Sequence, residues 1–470
     1  MRASVLPRWA GVTARVTAFV TLFTLLVLCC GYPGLAFDWH PVGGSSKPAP
    51  QGAGSLPERI GAPSPWTSDG LEAPIGAASV LYTSNTWFSD DSDHLSGLVG
   101  REDDTYRVTD MYGTAGMSSV ISPDGTRLAT EEGVTDLATG KTIPFRVRHD
   151  TDDVRVDAQA WSPDGNSVAL LFGWWNNPDG PGKGVRLRIF DVRSGATREI
   201  AVLSPLAALA GWTVAFSPDG SRLAFQVEDR IRVLTLAGGA SVDLPLPDGA
   251  RIAGKGAWTR DGRSLLVVSG EECDCDGYPR RWTVRTISAA DGTVTGPSWT
   301  RDGVYALRVL GWWRDQPATA EYTATRYASP SVFDDALGQD ELTSQVGIER
   351  ARLIELGTGR QLTAGDGIGV NGDVESLDVP DRILAQGRSR AGSPPLLDLD
   401  TLTLLPLGTV ALGLLVLLLL GAWWLAARRW PAPAETTPKP ASADVTEAAR
   451  RDRAGAPAST DVTPEEPAGR

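Results

Sequence analysis

Along most of the chain, short runs alternate apolar and polar residues with a period of two, and turn residues punctuate them. One ten-residue pattern occurs four times. Val120-Ile121-Ser122-Pro123-Asp124-Gly125 leads into Arg127-Leu128-Ala129, and Ala160-Trp161-Ser162-Pro163-Asp164-Gly165 into Val168-Ala169. Ala215-Phe216-Ser217-Pro218-Asp219-Gly220 leads into Leu223-Ala224, and Ala257-Trp258-Thr259-Arg260-Asp261-Gly262 into Leu265-Leu266. Apolar residues, a tight Asp-Gly turn and renewed alternation predict a β-hairpin. A second hairpin follows each time around a lone glycine, as at Gly195 after Ile189 and Gly239 after Val233. Two hairpins make a four-stranded unit, A-B-C-D, with the Asp-Gly turn joining A to B.

Spacing sets the register. From the C–D glycine to the next A–B aspartate, Gly140 to Asp164 and Gly195 to Asp219 are each 24 residues, and Gly239 to Asp261 is 22. Trp299-Thr300-Arg301-Asp302-Gly303 imitates the motif, but lies only 10 residues past Gly292, too near to leave room for strands D and A. Asp315 restores the interval at 23, and Asp381 lies 22 past Gly359. Asp124, Asp164, Asp219, Asp261, Asp315 and Asp381 are therefore read as structural turn residues. Aspartate suits such turns because its carboxylate bonds nearby backbone amides. C–D turns near Asp103, Gly140, Gly195, Gly239, Gly292, Gly359 and Asp400 count seven units. The first is irregular, and the segment Leu56 to Ile60 is a candidate for an outer strand that closes the ring.

Four-stranded units at this repeat predict an all-β chain folded as a β-propeller, with seven blades expected and six as the alternative. The Ser-Pro-Asp-Gly repeats over residues 76–402 resemble the TolB-type, WD-repeat-like propeller family, and the chain is expected to be a membrane-anchored bacterial protein. That resemblance implies a fold, and it carries no active-site residue to this chain. Propellers host binding, scaffolding and catalysis alike.

Two apolar runs break the alternation. Val16 to Cys30 follows Arg2, Arg8 and Arg15, which predicts a signal peptide or a signal-anchor helix within residues 1–37. Leu404 to Ala427 is uncharged and ends in Trp423-Trp424, with Arg428 and Arg429 just beyond. About 20 apolar residues span a bilayer core, so this run predicts a transmembrane helix over 404–427 with its C-terminal side in the cytoplasm. The chain then divides into a Pro/Gly/Ser-rich linker over 38–75, an extracytoplasmic propeller over 76–403, and a disordered cytoplasmic tail over 428–470. The expected location is the bacterial cell membrane, with a monomeric propeller outside.

Composition narrows the function classes. A net charge of −13 argues against a nucleic-acid partner, and four Cys in 470 residues exclude a disulfide scaffold. His94 and His149 are the only histidines of the propeller, no Gly-x-Ser-x-Gly elbow or phosphate loop appears, and neither a cofactor nor a metal is expected. Candidate chemistry lies in the B–C and D–A connections, which share one face of a propeller. Trp87, Trp174, Trp175, Asp150, Asp152, Glu271 and Asp274 would make that face acidic and aromatic, suited to ligand binding. Cys273 and Cys275 have three readings: a disulfide, free thiols or a metal site. Three functions follow: a membrane-anchored binding or scaffold module for a protein or envelope glycan; a carbohydrate-active enzyme using clustered carboxylates; or an envelope sensor signalling through its tail.

Overall fold

The computed structural model describes residues 52, 54–61, 67–84, 95–109, 115–145, 155–173, 185–203, 214–247, 249–275, 280–324, 348–365, 374–395 and 413–423. Residues up to 411 form one unit and residues from Leu412 onward another. In the second unit residues 413–423 are helical. Among the described residues no helix is long and apolar enough to cross a membrane.

The first unit is a propeller of six blades, not seven. Blades 2 to 5 are consecutive in sequence. Blade 2 comprises Val120–Ile121, Arg127–Ala129, Gly133–Asp136 and Thr142–Pro144. Blade 3 comprises Arg155–Trp161, Ser167–Gly173, Val185–Asp191 and Thr197–Leu203. Blade 4 uses Val214–Phe216, Arg222–Val227, Arg230–Thr235 and Ser241–Pro245. Blade 5 uses Ala250–Ile252, Ser264–Glu272, Arg280–Ser288 and Val294–Asp302. Blade 6 holds Ala306–Trp313, Gln316–Ala324, Ile348–Glu355 and Arg360–Gly365, with Arg59–Ile60 added in parallel at its outer edge.

Blade 1 joins the two ends of this unit. Its B, C and D strands are Ala78–Ser84, Leu95–Gly100 and Tyr106–Thr109, and its innermost strand is Val374–Asp378 from the far end. Val374 pairs with Ser84 and Asp378 with Leu81. The irregular first unit and the last unit of the sequence reading are thus one blade. Pro380, which has no backbone N–H, follows this strand, and helix α1 (Asp381–Gln386) begins instead of a B strand. Asp381, expected in a hairpin turn, lies in the first turn of α1. The helix ends at Gly387, whose φ of 60° is the left-handed conformation that glycine adopts without strain. The expected turn near Asp400 lies outside the described residues.

Leu56 to Ile60, within the expected linker, belongs to the fold: Leu56–Pro57 pairs in parallel with Ser389–Arg390. Arg390 fastens that pair to blade 1, donating to the Asp104 carboxylate at 3.0 Å and to the carbonyls of Gly100 and Asp103.

The two-residue period explains the core. On strand Ser167–Gly173, Val168, Leu170 and Phe172 pack toward blade 2 beside Val120, Ala129 and Val134. Ala169 and Leu171 point the other way, against Val214, Phe216, Leu223 and Phe225 of blade 4. Each blade thus buries its faces against its neighbours, and that apolar burial is what holds the ring together.

Candidate functional site

The motif aspartates take turn roles in the structure. Ser122, Ser162, Ser217 and Thr259 donate to Asp124, Asp164, Asp219 and Asp261 at 2.8, 2.6, 2.6 and 2.7 Å. Each carboxylate also accepts the N–H two residues on, from Thr126, Asn166, Ser221 and Arg263. Asp315 lies in the turn between Trp313 and Gln316 and faces Arg260 at 3.3 Å. Asp302 instead ends the outer strand of blade 5, doubly bonded to Arg281 at 2.8 and 3.0 Å.

Hydrogen bonds from Ser217 and Ser221 hold the Asp219 carboxyl down to about 2 from an ordinary 3.8. Because the folded value lies below the unfolded one, this stabilisation is complete above the ordinary carboxylate range and is lost as pH falls from about 4 to about 2. Asp219 is exposed, so the effect is modest. Asp219→Ala should cost about 1 kcal/mol at neutral pH, with the gap to wild type closing toward pH 2 in urea melts. A gap of constant size across that range would contradict the assignment.

The motif aromatics staple neighbouring blades, a role that the sequence reading missed. The indole N–H of Trp161 donates to the Val120 carbonyl of blade 2, and that of Trp258 to Ala215 of blade 4. Trp312 donates to the Trp258 carbonyl at 2.7 Å. All three stand three residues before a turn aspartate, which was a readable signal. Phe216 holds that position in blade 4 and has no N–H to donate. Arg127 and Arg222 add a second link, donating to the Gly165 and Gly262 carbonyls of the following blades.

A buried ionic cluster joins three innermost segments of the ring. Asp378 of blade 1 is fully buried; its carboxylate accepts the Ile121 N–H of blade 2 at 3.0 Å and faces Lys255 of blade 5 at 2.9 Å. Lys255 also donates to the Val379 carbonyl at 2.9 Å and lies 3.6 Å from Asp381. Arg308 of blade 6 is 1% exposed, and beside it Tyr322, whose hydroxyl burial pushes up, interacts with both Arg308 and Ser376. Gly116 admits this guanidinium: a Cβ there would fall 2.3 Å from Arg308 Nη1. Lys255 was legible as a lone charge between Gly254 and Gly256 in an apolar run. Its partner Asp378, more than a hundred residues away, was not.

The binding candidates are not gathered into one described site. Trp87, Trp174, Trp175, Asp150 and Asp152 lie outside the described residues. Glu271 is exposed near the end of its strand, paired across the ladder with Arg281. Asp274 is exposed between Cys273 and Cys275, which form a disulfide. Among the described residues no group of three or more His, Cys, Asp or Glu side chains could hold a metal ion.

No family model and no curated protein matches the chain. Among solved structures it is similar to TolB from Acinetobacter baumannii, at 12% identity over 54% of this chain and 63% of that one, with a TM-score of 0.31. It is also similar to an acylaminoacyl peptidase of Pyrococcus horikoshii, at 16% identity over 39% of this chain and 30% of that one, TM-score 0.28. Dipeptidyl peptidase 4 of Porphyromonas gingivalis matches at 12% identity over 63% of this chain and 46% of that one, TM-score 0.33. The chain therefore spans less than two thirds of the length of each of these proteins. At these scores the likeness carries no inference about activity.

Proposed function

We propose that this propeller is a binding or scaffold module at the outer side of a cell membrane, anchored by the apolar run 404–427, and that it takes a protein or envelope glycan on its B–C face. One observation carries the reading. The blades share one strand frame, yet the segments joining B to C differ widely. Residues 228–229 suffice in blade 4, whereas 174–184 intervene in blade 3 and 325–347 in blade 6. Long, variable connections on a rigid frame are where recognition surfaces concentrate. The tryptophans and acids of these segments are the candidate anchors. Arginines beyond Trp424 support a cytoplasmic C-terminus.

The enzyme reading has less support. Glu375, Asp378 and Asp381 come from a single segment, and Asp378 is neutralised by Lys255. That arrangement suits ring closure better than a pair of acids flanking a substrate bond.

The test uses the full chain in a neutral detergent, immobilised and exposed to solubilised envelope proteins and to isolated cell-wall glycan. Retention of either component is expected, weakened at least about tenfold in the Trp174→Ala/Trp175→Ala variant with the melting temperature nearly unchanged. If the double variant unfolds as readily as Trp161→Ala, the tryptophans belong to the core and the face is not the binding surface.

A further inference from the structure

In blade 5, strands Ser264–Glu272 and Arg280–Ser288 form an antiparallel ladder from Ser264–Ser288 out to Glu272–Arg280. The Cys273–Cys275 disulfide sits just past the last rung, between residues two apart, and both cysteines are half-buried. A cross-link over so short a loop removes little freedom from the unfolded chain. The ladder beneath it is closed by backbone hydrogen bonds, and Trp282 is buried two rungs inward, opposite Gly270. The bridge thus links only residues two apart, and both of its cysteines remain partly exposed.

Charge sets what can approach. Glu271, Glu272 and Asp274 surround the bridge, all exposed. Across the ladder stand Arg280, stacked over Trp282 at 5.1 Å, and Arg281, which Asp302 holds with two hydrogen bonds. Among these described residues the carboxylates of Glu271, Glu272, Asp274 and Asp302 outnumber the guanidiniums of Arg280 and Arg281, so they repel anions.

We propose that the Cys273–Cys275 disulfide is an exchange site for small uncharged or cationic thiols, and not a cross-link that the fold needs. A thiolate attacks one sulfur and forms a mixed disulfide; the bond between the cysteines breaks, and the other sulfur leaves as a thiolate that takes up the proton given up by the attacking thiol. A second thiol then attacks the mixed disulfide. Two thiols become one small disulfide, and the protein gains two electrons and two protons as a dithiol. This inference is independent of the binding reading above.

The full chain in neutral detergent is treated with cysteamine, 2-mercaptoethanol or mercaptoacetate at low ionic strength, and rates are compared at equal thiolate concentration. Alkylation and mass spectrometry of the Cys273–Cys275 peptide report opening separately from Cys29 and Cys30. Cysteamine should open the bridge without denaturant, leaving the melting curve almost unmoved, and mercaptoacetate should react about tenfold more slowly. The gap should close in about 1 M salt and narrow in Glu271→Gln/Glu272→Gln/Asp274→Asn. A bridge that opens only when the protein unfolds is a structural cross-link, and equal rates for the three thiols at low salt would refute the charge selection. Cys273→Ser/Cys275→Ser should fold and melt like wild type; a large loss of stability in that variant would also overturn the proposal.

Discussion

Asp378→Ala is expected to cost the propeller about 3–5 kcal/mol, because it strips the partner from a buried lysine and leaves that charge uncompensated. Lys255 Nζ keeps the Val379 carbonyl but loses the carboxylate at 2.9 Å, while the Ile121 N–H loses its acceptor. The loss falls where the last strand completes the first blade, so opening should begin at strand Val374–Asp378. Lys255→Met combined with Asp378→Leu removes both charges, and should recover most of the loss, since a buried ion pair contributes little over an apolar pair of similar volume. Urea unfolding of wild type, Lys255→Met, Asp378→Leu and the double variant forms a double-mutant cycle that gives the coupling directly. If Asp378→Ala lowers stability by less than about 1 kcal/mol, the pair is hydrated in solution and does not hold the ring closed.

Trp258→Ala should cost a similar amount, about 3–5 kcal/mol, but for a different reason. The indole is 3% exposed, packs in the largest apolar cluster, donates to the Ala215 carbonyl at 3.1 Å and carries the Arg222 guanidinium 4.5 Å from its ring. Trp258→Phe keeps an aromatic face for the arginine and much of the buried area, and loses the hydrogen bond, so about 1–2 kcal/mol is expected. Phe216 already occupies the equivalent place in blade 4, which shows that the frame accommodates phenylalanine there. Equal losses for the alanine and phenylalanine variants would mean that the hydrogen bond, not the buried ring, dominates the staple.

Much of the blade interior was legible because its determinants are local. The Ser-x-Asp-Gly turn closes within five residues: Ser122 bonds Asp124 and accepts from the Arg127 N–H. Alternation then places the faces of each strand. The fixed interval between turns separates Asp302 from Asp315 in the sequence, and the structure puts the first on an outer strand and the second in a hairpin. The expected count of seven blades failed at the ends, where locality fails. Nothing near Ala78 reveals that its blade lacks an inner strand, and nothing near Val374 reveals that it fills one some three hundred residues away.

What the sequence determined by itself was the repeating unit: hairpins, their register, and which side chains face inward, all set by the two-residue period and by turn chemistry within a few residues. Only the tertiary structure decided how many units close the ring, which strands Leu56 to Ile60 pair with, and that Lys255 meets Asp378 in its interior. The physical reason is one of range. A hairpin turn satisfies its own hydrogen bonds, whereas a closing strand and a buried charge are satisfied only by partners that the completed ring brings to them.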